Sequence, residues 1–232
     1  MKRVSVIIPA YNEAARIGDT VSAAFRIPEV TEVIVIDDAS TDRTGDLARK
    51  AGARVIRLLR NSGKGAALNR GVQAAAGEVI VLLDADLGES AQEARNFILP
   101  VLSGEVDMAV ARFPSPKTKG GFGLVRTLAG RGIRFFTGLD MKAPLSGQRA
   151  LSRETLSAVL PFAGGYGVEV ALTIKAARRG FRIAEIPLPM RHRETGRNIS
   201  GFLHRGRQFR DVLLTLGRFF LEYRGAGRVA GR

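Results

Sequence analysis

The stretch Val79-Ile-Val-Leu-Leu-Asp-Ala-Asp86 decides the fold, because it joins a strongly apolar segment to two acidic residues. Its five apolar residues predict a strand buried on both faces, as in the interior of a mainly parallel sheet. In an extended chain Asp84 and Asp86 point to the same side, at the carboxyl end of the strand, where open α/β sheets bind ligands. Two such carboxylates suit Mg²⁺ or Mn²⁺ together with substrate phosphates. The alternative is a pair of solvated turn carboxylates.

The composition is that of one large α/β domain. The chain has 232 residues, of which 45% are hydrophobic, and it contains no cysteine. Its apolar windows are shorter than the ~20 residues that span a bilayer, and the first apolar run is interrupted at Pro9, unlike a signal peptide. We therefore expect a cytoplasmic protein, or one held peripherally at the inner face of the membrane.

Positive charge is concentrated in the second half of the chain. The net charge is +14, yet residues 1–115 contain 14 basic and 15 acidic residues, whereas residues 116–232 contain 22 and 7. The second half therefore predicts an anionic partner, either a phosphorylated substrate or an acidic bilayer. Nucleic acid is the weakest candidate and is not expected, since only 6% of residues are aromatic and no zinc-finger or RNA-binding signature occurs.

Strands and helices alternate along the first half of the chain. Apolar runs predict strands at 4–8, 32–36, 54–58, 79–83 and 108–111, with a helical segment after each of the first four. This alternation predicts a mainly parallel sheet with helices on both faces and a crevice at the strand ends. A G-x-G-x-x-G fingerprint is missing after the first strand, which argues against NAD or FAD.

Polar segments follow the second and third predicted strands. Within Asp37-Asp-Ala-Ser-Thr-Asp42, Asp38 is favoured as an acceptor for a nucleobase N–H, whereas Ser40 or Thr41 suits a helix cap. Gly63-Lys-Gly65 at the next helix start can hold a phosphate through backbone N–H groups and Lys64. It is not a P-loop, because the first glycine and the Ser or Thr of that motif are missing.

The second half of the chain contains a long basic loop and three further candidate sites. Residues 112–123 predict a mobile lid over bound substrate. Ser146-Gly147 allows an anion to approach Arg149 on a short strand. Glu169, near the start of a helix ending at about 179, is either a base or substrate-hydroxyl ligand or a residue placed for the helix dipole. His192, among arginines after a last strand at 183–188, is a candidate metal or phosphate ligand.

The tail from about 200 to 223 is predicted to form one amphipathic helix. Its apolar residues repeat at three and four and form one stripe: Phe202, Phe209, Leu213, Leu216, Phe220 and Tyr223. The stripe fits packing against the domain or a second copy, and equally an anionic membrane surface.

With these residues in place, the chain resembles family-2-type glycosyltransferases of the GT-A fold. The segments that carry the resemblance are Pro9-Ala-Tyr-Asn-Glu13, Asp37 to Asp42, Gly63-Lys-Gly65 and Asp84-Ala-Asp86, in order after successive strands. The fold class expected is α/β, a single Rossmann-like mainly parallel sheet with helices on both faces and a C-terminal amphipathic helix. Residues 1–199 would form the GT-A domain, with a nucleotide-sugar half at 1–115 and an acceptor half at 116–199, followed by a basic helix and tail at 200–232.

The resemblance implies roles for individual residues. It implies that the nucleotide contacts are Pro9, Ala10, Tyr11, Asn12, Glu13, Asp38, Ser40, Gly63, Lys64, Asp84 and Ala85. It also implies a Mg²⁺ or Mn²⁺ ion held by Asp84, Asp86 and His192. The second half resembles two groups of enzymes. Ser146-Gly-Gln-Arg-Ala150 is similar to polyprenyl-phosphate (dolichol-phosphate) glycosyltransferases, whereas the segment from Leu160 to Glu169 is similar to glucosyl-3-phosphoglycerate synthases. Gly88 replaces a glutamine that is a further metal ligand in the first group.

The predicted activity is metal-dependent transfer of a sugar from a UDP- or GDP-sugar to a phosphate-bearing acceptor. Polyprenyl phosphate is favoured over a small phosphorylated acid such as phosphoglycerate because of the basic amphipathic tail. Asp86 and Glu169 are the predicted catalytic residues, Glu169 being the base if the acceptor is a hydroxyl. The predicted acceptor contacts are Arg112, Lys119, Arg126, Arg131, Ser146, Arg149, Arg193 and Arg197. The alternative from another class is a non-catalytic membrane-surface adaptor.

Overall fold

The structure is a computed structural model that describes residues 3–113, 123–188 and 199–229, with side chains of the last segment described for 206–222. The strands are β1 Val4–Ala10, β2 Val30–Asp37, β3 Arg54–Arg57, β4 Val79–Leu82, β5 Met108–Arg112, β6 Arg149–Ser152 and β7 Ile183–Pro187. The helices are α1 Ile17–Phe25, α2 Thr44–Lys50, α3 Lys64–Ala74, α4 Arg95–Leu102, α5 Gly123–Thr137, α6 Arg153–Val159, α7 Val168–Arg178 and α8 Ile199–Val229. Short 3-10 turns occupy Gly88–Ala94 and Gly165–Gly167.

The strands form one seven-stranded sheet in the order β3-β2-β1-β4-β6-β5-β7. β4 lies at its centre and is buried at every position, as its unbroken apolar sequence predicts. Val79 and Val81 pack with α1 and α4 on one face, whereas Ile80 and Leu82 pack with α3, α6 and α7 on the other. The prediction of a mainly parallel sheet covered on both faces is therefore confirmed.

β6 is the one antiparallel strand in this sheet, within the part of the chain that the structure describes. It pairs with β4 and β5, and its first residue, Arg149, lies opposite Leu82 near the end of β4. The residues just before β6 therefore reach the carboxyl end of β4. This reversal brings residues 146–148 of the second half next to the acidic strand end of the first half.

α8 packs along α5 and the turn Gly165–Gly167 with a face that shares only Leu216 with the predicted stripe, whose members Phe202 and Tyr223 lie outside the side chains described. Val212, Leu216 and Phe219 are buried, whereas Phe209 and Leu213 of the predicted stripe are 40% and 51% exposed. The buried face also contains polar residues, and the sequence pattern alone did not assign these to a packed surface.

Glycines explain why polar side chains of α8 can be buried. A Cβ at Gly165 would lie 2.2 Å from a carboxylate oxygen of Asp211, and one at Gly167 would lie 2.0 Å from the Thr215 hydroxyl. The bare glycine backbone therefore lets α8 approach more closely than any other residue would permit. Among the residues described, no helix has both the length and the apolarity needed to cross a membrane.

Candidate active site

A polar cleft opens at the carboxyl ends of β1, β2 and β4. It has a volume of about 130 Å³ and is lined by Pro9, Ala10, Tyr11, Asp38, Lys64, Ala67 and Asp84. Six of these seven residues were predicted to contact the nucleotide. Five of the six lie at the ends of β1, β2 and β4, which parallel pairing brings to one edge of the sheet, and the sixth, Lys64, begins α3. The structure thus brings together residues from three separate strand ends.

Asp84 is held from two sides by residues of distant segments. Its Oδ1 accepts from Lys64 Nζ at 2.9 Å, and its Oδ2 accepts from Gln148 Nε2 at 2.6 Å. Gln148 is 1% exposed and so fixes the carboxylate from the protein interior. Gly147 lies beside this pair, and a Cβ there would lie 2.5 Å from Lys64 Nζ and 3.1 Å from the Asp84 carboxylate oxygens, so a larger residue would displace the lysine tip.

The turn that follows Asp84 is fastened to α1 by a single hydroxyl. Thr20, fully buried on α1, donates to the carbonyl of Ala85 at 2.8 Å and accepts from the amide of Gly88 at 2.8 Å. Gly88 has a φ of +56°, which a glutamine at this position would adopt only with strain. Thr20 therefore fixes the backbone that presents Asp86, whose side chain is partly buried.

Lys64 joins both halves of the chain at the cleft. As the first residue of α3 it bridges Asp84 and Glu169, whose Oε1 lies 3.0 Å from Nζ. Burial opposes the lysine charge, but the charges of Asp84 and Glu169 outweigh it and raise the pKa of Lys64. The ammonium side chain is nevertheless 31% exposed toward the cleft.

Asp38 has a structural role in addition to its place in the cleft. Its two carboxylate oxygens accept from the backbone amides of Ser62 and Gly63 at 2.7 and 2.8 Å. The Gly63 backbone has a φ of +84°, so glycine suits this turn into α3. Asp38 therefore anchors the loop that carries Lys64, while the predicted contact with a nucleobase stays a prediction.

The first loop is tied to the loop after β2 by hydrogen bonds. The Asn12 amide donates to Ser40 Oγ at 3.1 Å, and Asn12 Oδ1 accepts from the amide of Thr41 at 2.8 Å. Glu13 donates its amide to Thr44 Oγ1 at 2.8 Å. Ser40 therefore supports the first loop, and neither it nor Thr41 caps α2, which begins only at Thr44.

Glu169 is in the first turn of α7 and is 9% exposed. Its carboxylate accepts a hydrogen bond from Lys64, so Glu169 belongs to the charged cluster at the cleft. The structure thus brings the predicted base next to the strand-end carboxylate, and its catalytic role stays a prediction.

The prediction that Arg149 contacts the acceptor conflicts with its position. The side chain is 1% exposed, and its guanidinium donates to the Ser146 carbonyl and to Thr173 Oγ1, both at 2.8 Å. Burial lowers the pKa of Arg149 to about 10, which still leaves it charged at neutral pH. Arg149 therefore stabilises the turn before β6 and has no exposed edge for an acceptor phosphate.

The other predicted acceptor contacts are dispersed. Ser146 is 8% exposed beside Gln148, and Arg112 ends β5. Arg126 and Arg131 are exposed on α5, and their spacing of five residues places them about 140° apart around the helix axis, so their shared contact with one phosphate stays a prediction. The remaining predicted acceptor contacts lie outside the described residues: Lys119, Arg193 and Arg197. His192, the predicted third metal ligand, also lies outside them.

The cleft fits a divalent cation that is completed by a ligand's oxygens. No group of three or more acidic, histidine or cysteine side chains suited to a metal occurs among the residues described. Asp84 already pairs with one cation, the Lys64 ammonium, so a divalent cation at Oδ1 must displace this contact. Mg²⁺ and Mn²⁺ are bound by one or two carboxylates plus phosphate oxygens. Asp84 and Asp86 can provide the carboxylates, and the ligand would provide the phosphate oxygens.

Comparison with known proteins identifies the family. Glycosyl transferase family 2 matches residues 5–159, well over half of the chain. The chain belongs to this family. It is therefore a family 2 glycosyltransferase with the GT-A fold, and the resemblance predicted from its strand-end motifs is confirmed.

Its relatives include enzymes that are named for different acceptors. The glycosyltransferase AglJ of Haloferax volcanii is 31% identical over 188 residues, covering 79% of this chain and 61% of that protein. The dolichyl-phosphate hexose transferase of the same organism is 30% identical over 197 residues, covering 82% and 83%. The glucosyl-3-phosphoglycerate synthase of Mycobacterium tuberculosis is 36% identical over 197 residues, covering 75% and 60%.

A crystal structure of that synthase in complex with Mn²⁺, UDP and glucosyl-3-phosphoglycerate matches the fold of this glycosyltransferase. The TM-score is 0.77 at 32% identity, covering 93% of this chain and 78% of that one. The chain spans only about three fifths of the full length of AglJ and of the synthase.

Two residues of the family 2 glycosyltransferase site were missed by sequence reasoning. Gln148 lies within a quoted motif, but only the antiparallel pairing of β6 shows that it reaches Asp84. Thr20 is in an amphipathic helix whose pattern gives no sign of contact with residues 85–88.

Proposed function

We propose that this glycosyltransferase moves a sugar from a UDP- or GDP-sugar to a phosphate-bearing acceptor, most favourably polyprenyl phosphate, with Mg²⁺ or Mn²⁺. The observation that carries the proposal is Asp84 at the centre of the cleft, fixed by Gln148 and facing Lys64. A fixed carboxylate beside an ammonium group suits a diphosphate–metal pair, because the carboxylate can bind the metal and the ammonium can bind the diphosphate.

The donor site divides into a base end and a diphosphate end. Tyr11 and Asp38 line the base end, where the aromatic ring offers a stacking surface and the carboxylate an acceptor. Lys64 and the first amides of α3 lie at the diphosphate end. Asp84 and Asp86 would hold the divalent cation, which supplies charge neutralisation for the departing nucleoside diphosphate.

The chemistry of the acceptor determines what Glu169 must do. A phosphate monoester has its second pKa near about 6 and is largely ionised at neutral pH, so its oxygen needs no strong base. Catalysis then rests on positioning by the cleft. With a hydroxyl acceptor, Glu169 is the proposed base and must exchange its contact with Lys64 for the hydroxyl proton.

A lipid-linked acceptor is supported by an exposed apolar surface on α5 and α8. Gly132 and Phe136 of α5 pack against Leu216 and Phe219 of α8, with the two rings 5.9 Å apart. Apolar side chains remain exposed on both helices; we name this set the outer face, and it comprises Leu124, Phe135, Phe209, Leu213 and Phe220. Residues 209, 213 and 220 lie within about 40° around the axis of α8 and form a continuous stripe.

Positive charge accompanies the outer face. Exposed arginines occur on both helices: Arg126, Arg131 and Arg134 on α5, and Arg207, Arg210 and Arg218 on α8. Arg210 is paired with Asp211, whereas α5 contains no acidic residue. Apolar side chains beside arginines complement an anionic bilayer, in which the rings enter the interface and the arginines meet head groups.

The proposed organisation is therefore a GT-A domain at 1–199 and a membrane-binding segment at 200–232. The nucleotide-sugar part at 1–115 supplies Asp38, Lys64 and the acidic strand end, and the acceptor part at 116–199 supplies Gln148 and Glu169. Peripheral attachment through the outer face would place the cleft near a lipid-borne phosphate.

The activity is tested by incubating the protein with Mn²⁺ or Mg²⁺, a panel of UDP- and GDP-sugars, and either polyprenyl phosphate or 3-phosphoglycerate. We expect nucleoside diphosphate release only with a phosphate-bearing acceptor, and loss of release in Asp86→Ala. Turnover with 3-phosphoglycerate alone would favour the runner-up, a soluble phosphorylated acid, which the similarity to glucosyl-3-phosphoglycerate synthase supports. If nucleoside diphosphate is released with neither of these two acceptors present, or equally with and without them, the proposal of a phosphate-bearing acceptor is contradicted.

Membrane attachment is tested by co-sedimentation with vesicles of phosphatidylglycerol and of phosphatidylcholine. The double variant Phe209→Glu/Leu213→Glu should lose binding to the anionic vesicles. Phe25→Glu is the matched control, since Phe25 is 39% exposed on α1, outside the outer face. If the double variant binds the anionic vesicles as well as Phe25→Glu does, the outer face does not bind a bilayer. If light scattering instead shows a dimer that the double variant abolishes, a second copy of the chain covers the outer face.

A further inference from the structure

Lys64 occupies the position at which a cation contacts Asp84. Its Nζ lies 2.9 Å from Asp84 Oδ1 and 3.0 Å from Glu169 Oε1, and Gly147 lies directly behind it. The other oxygen of Asp84 is held at 2.6 Å by Gln148, which is buried. The cleft-facing contact of Asp84 is thus made by a flexible lysine, and the interior contact by a fixed amide.

A divalent cation at Asp84 and the ammonium of Lys64 compete for the same carboxylate. Their like charges repel at this distance in a partly buried site, and Oδ1 is the oxygen of Asp84 that faces Lys64. The lysine backbone is fixed at the start of α3, but its side chain is long and 31% exposed, so its ammonium can turn within the cleft. A diphosphate in the cleft offers the displaced ammonium new anionic oxygens next to the α3 amides.

We propose that Lys64 is an exchangeable internal cation: it holds Asp84 and Glu169 together in the empty enzyme and transfers to the donor's diphosphate when the metal binds. Lys64 then opposes metal binding in the absence of nucleotide and favours it in the presence of nucleotide. Metal and nucleotide binding are thereby coupled through one side chain. This inference rests on the proposed function, because it requires a metal and a diphosphate in this cleft.

The proposal predicts that removing the lysine charge has opposite effects on Mn²⁺ affinity with and without UDP. Mn²⁺ binding to the full chain is measured by electron paramagnetic resonance of the free ion, for the wild type and for Lys64→Met. Without UDP, Lys64→Met should bind Mn²⁺ at least about fivefold more tightly; with saturating UDP, it should bind at least about fivefold more weakly, within the usual range of coupling between two ligands. UDP should therefore strengthen Mn²⁺ binding in the wild type far more than in the variant.

Two further variants serve as controls. Lys142→Met removes an exposed lysine that pairs with Asp140, away from the cleft, and should leave both affinities unchanged. Lys64→Gln retains a hydrogen-bond donor without charge and should behave as Lys64→Met, which covers the event that the methionine variant fails to fold.

The outcomes separate this proposal from the proposed function. Unchanged affinities in both Lys64 variants, or tighter Mn²⁺ binding both with and without UDP, overturn the exchange while leaving the metal-dependent transferase intact. Failure of the wild type to bind Mn²⁺ even with UDP overturns the metal-dependent function and the exchange together. Opposite signs in the two conditions support the exchange.

Discussion

Replacing Arg149 with methionine should lower the stability of the folded chain rather than weaken acceptor binding. The wild-type guanidinium makes two 2.8 Å hydrogen bonds, to the Ser146 carbonyl and to Thr173 Oγ1. At about 1.5–3 kcal/mol for each bond from a charged donor, the gross loss is about 3–6 kcal/mol. Methionine removes the desolvation cost of the buried guanidinium charge, which offsets part of this loss, so we expect the free energy of unfolding to fall by about 2–4 kcal/mol.

Thermal and urea unfolding followed by circular dichroism measure this loss. The expected decrease in Tm is about 5–15 °C for a chain of this size. Arg126→Met is the matched control, because Arg126 is exposed on α5, and it should change stability by less than about 0.5 kcal/mol. An unchanged Tm for Arg149→Met together with a raised acceptor KM would refute the structural role and restore Arg149 to the acceptor site.

Three further substitutions test other features. Thr20→Val removes the hydroxyl that fixes the turn after β4, so we expect kcat to decrease by about tenfold in the glycosyl transfer assay and stability to decrease by about 1–3 kcal/mol in urea. Gly65→Ala places a Cβ 2.2 Å from a backbone carbonyl oxygen and should lower the free energy of unfolding by about 1–3 kcal/mol, whereas Gly18→Ala, with nothing within 4 Å, should not lower it. A side-chain hydrogen bond from Arg182 lowers the pKa of Asp107. This carboxylate therefore stabilises the fold above its unfolded pKa of about 3.9, and the Tm difference between wild type and Asp107→Asn should shrink as pH falls from 6 to 3; a constant difference contradicts the assignment.

The sheet and the donor end of the cleft could be predicted because their signals are local. Each strand is a short apolar run, and parallel pairing brings the strand-end residues Asp38 and Asp84 together. Lys64 joins them from the start of α3, a helix start that its flanking glycines also indicate. The continuous apolar sequence of β4 reports its burial on both faces.

The buried polar contacts of the second half of the chain could not be predicted from local signals. Arg149 is typical of a surface residue by type, and only its place in the fold shows that internal carbonyl and hydroxyl acceptors satisfy it. Likewise, Asp211 and Thr215 are not part of the apolar stripe predicted for this helix, yet both pack against glycines of a turn that is distant in sequence. In both cases the deciding partner is far away in the sequence.

The reversed strand β6 has a consequence for how the enzyme is made. Among the described strands, β5 is joined to the rest of the sheet only through β6, because its other neighbour, β7, is the edge strand. β5 therefore stays outside the sheet until residues 149–152 have left the ribosome. A nascent chain that ends before this point has Asp84 but lacks Gln148 to orient it. The cleft around Asp84 is therefore completed only after residues 148–169 have been synthesised, and a gene fragment encoding only the first half should show no glycosyl transfer.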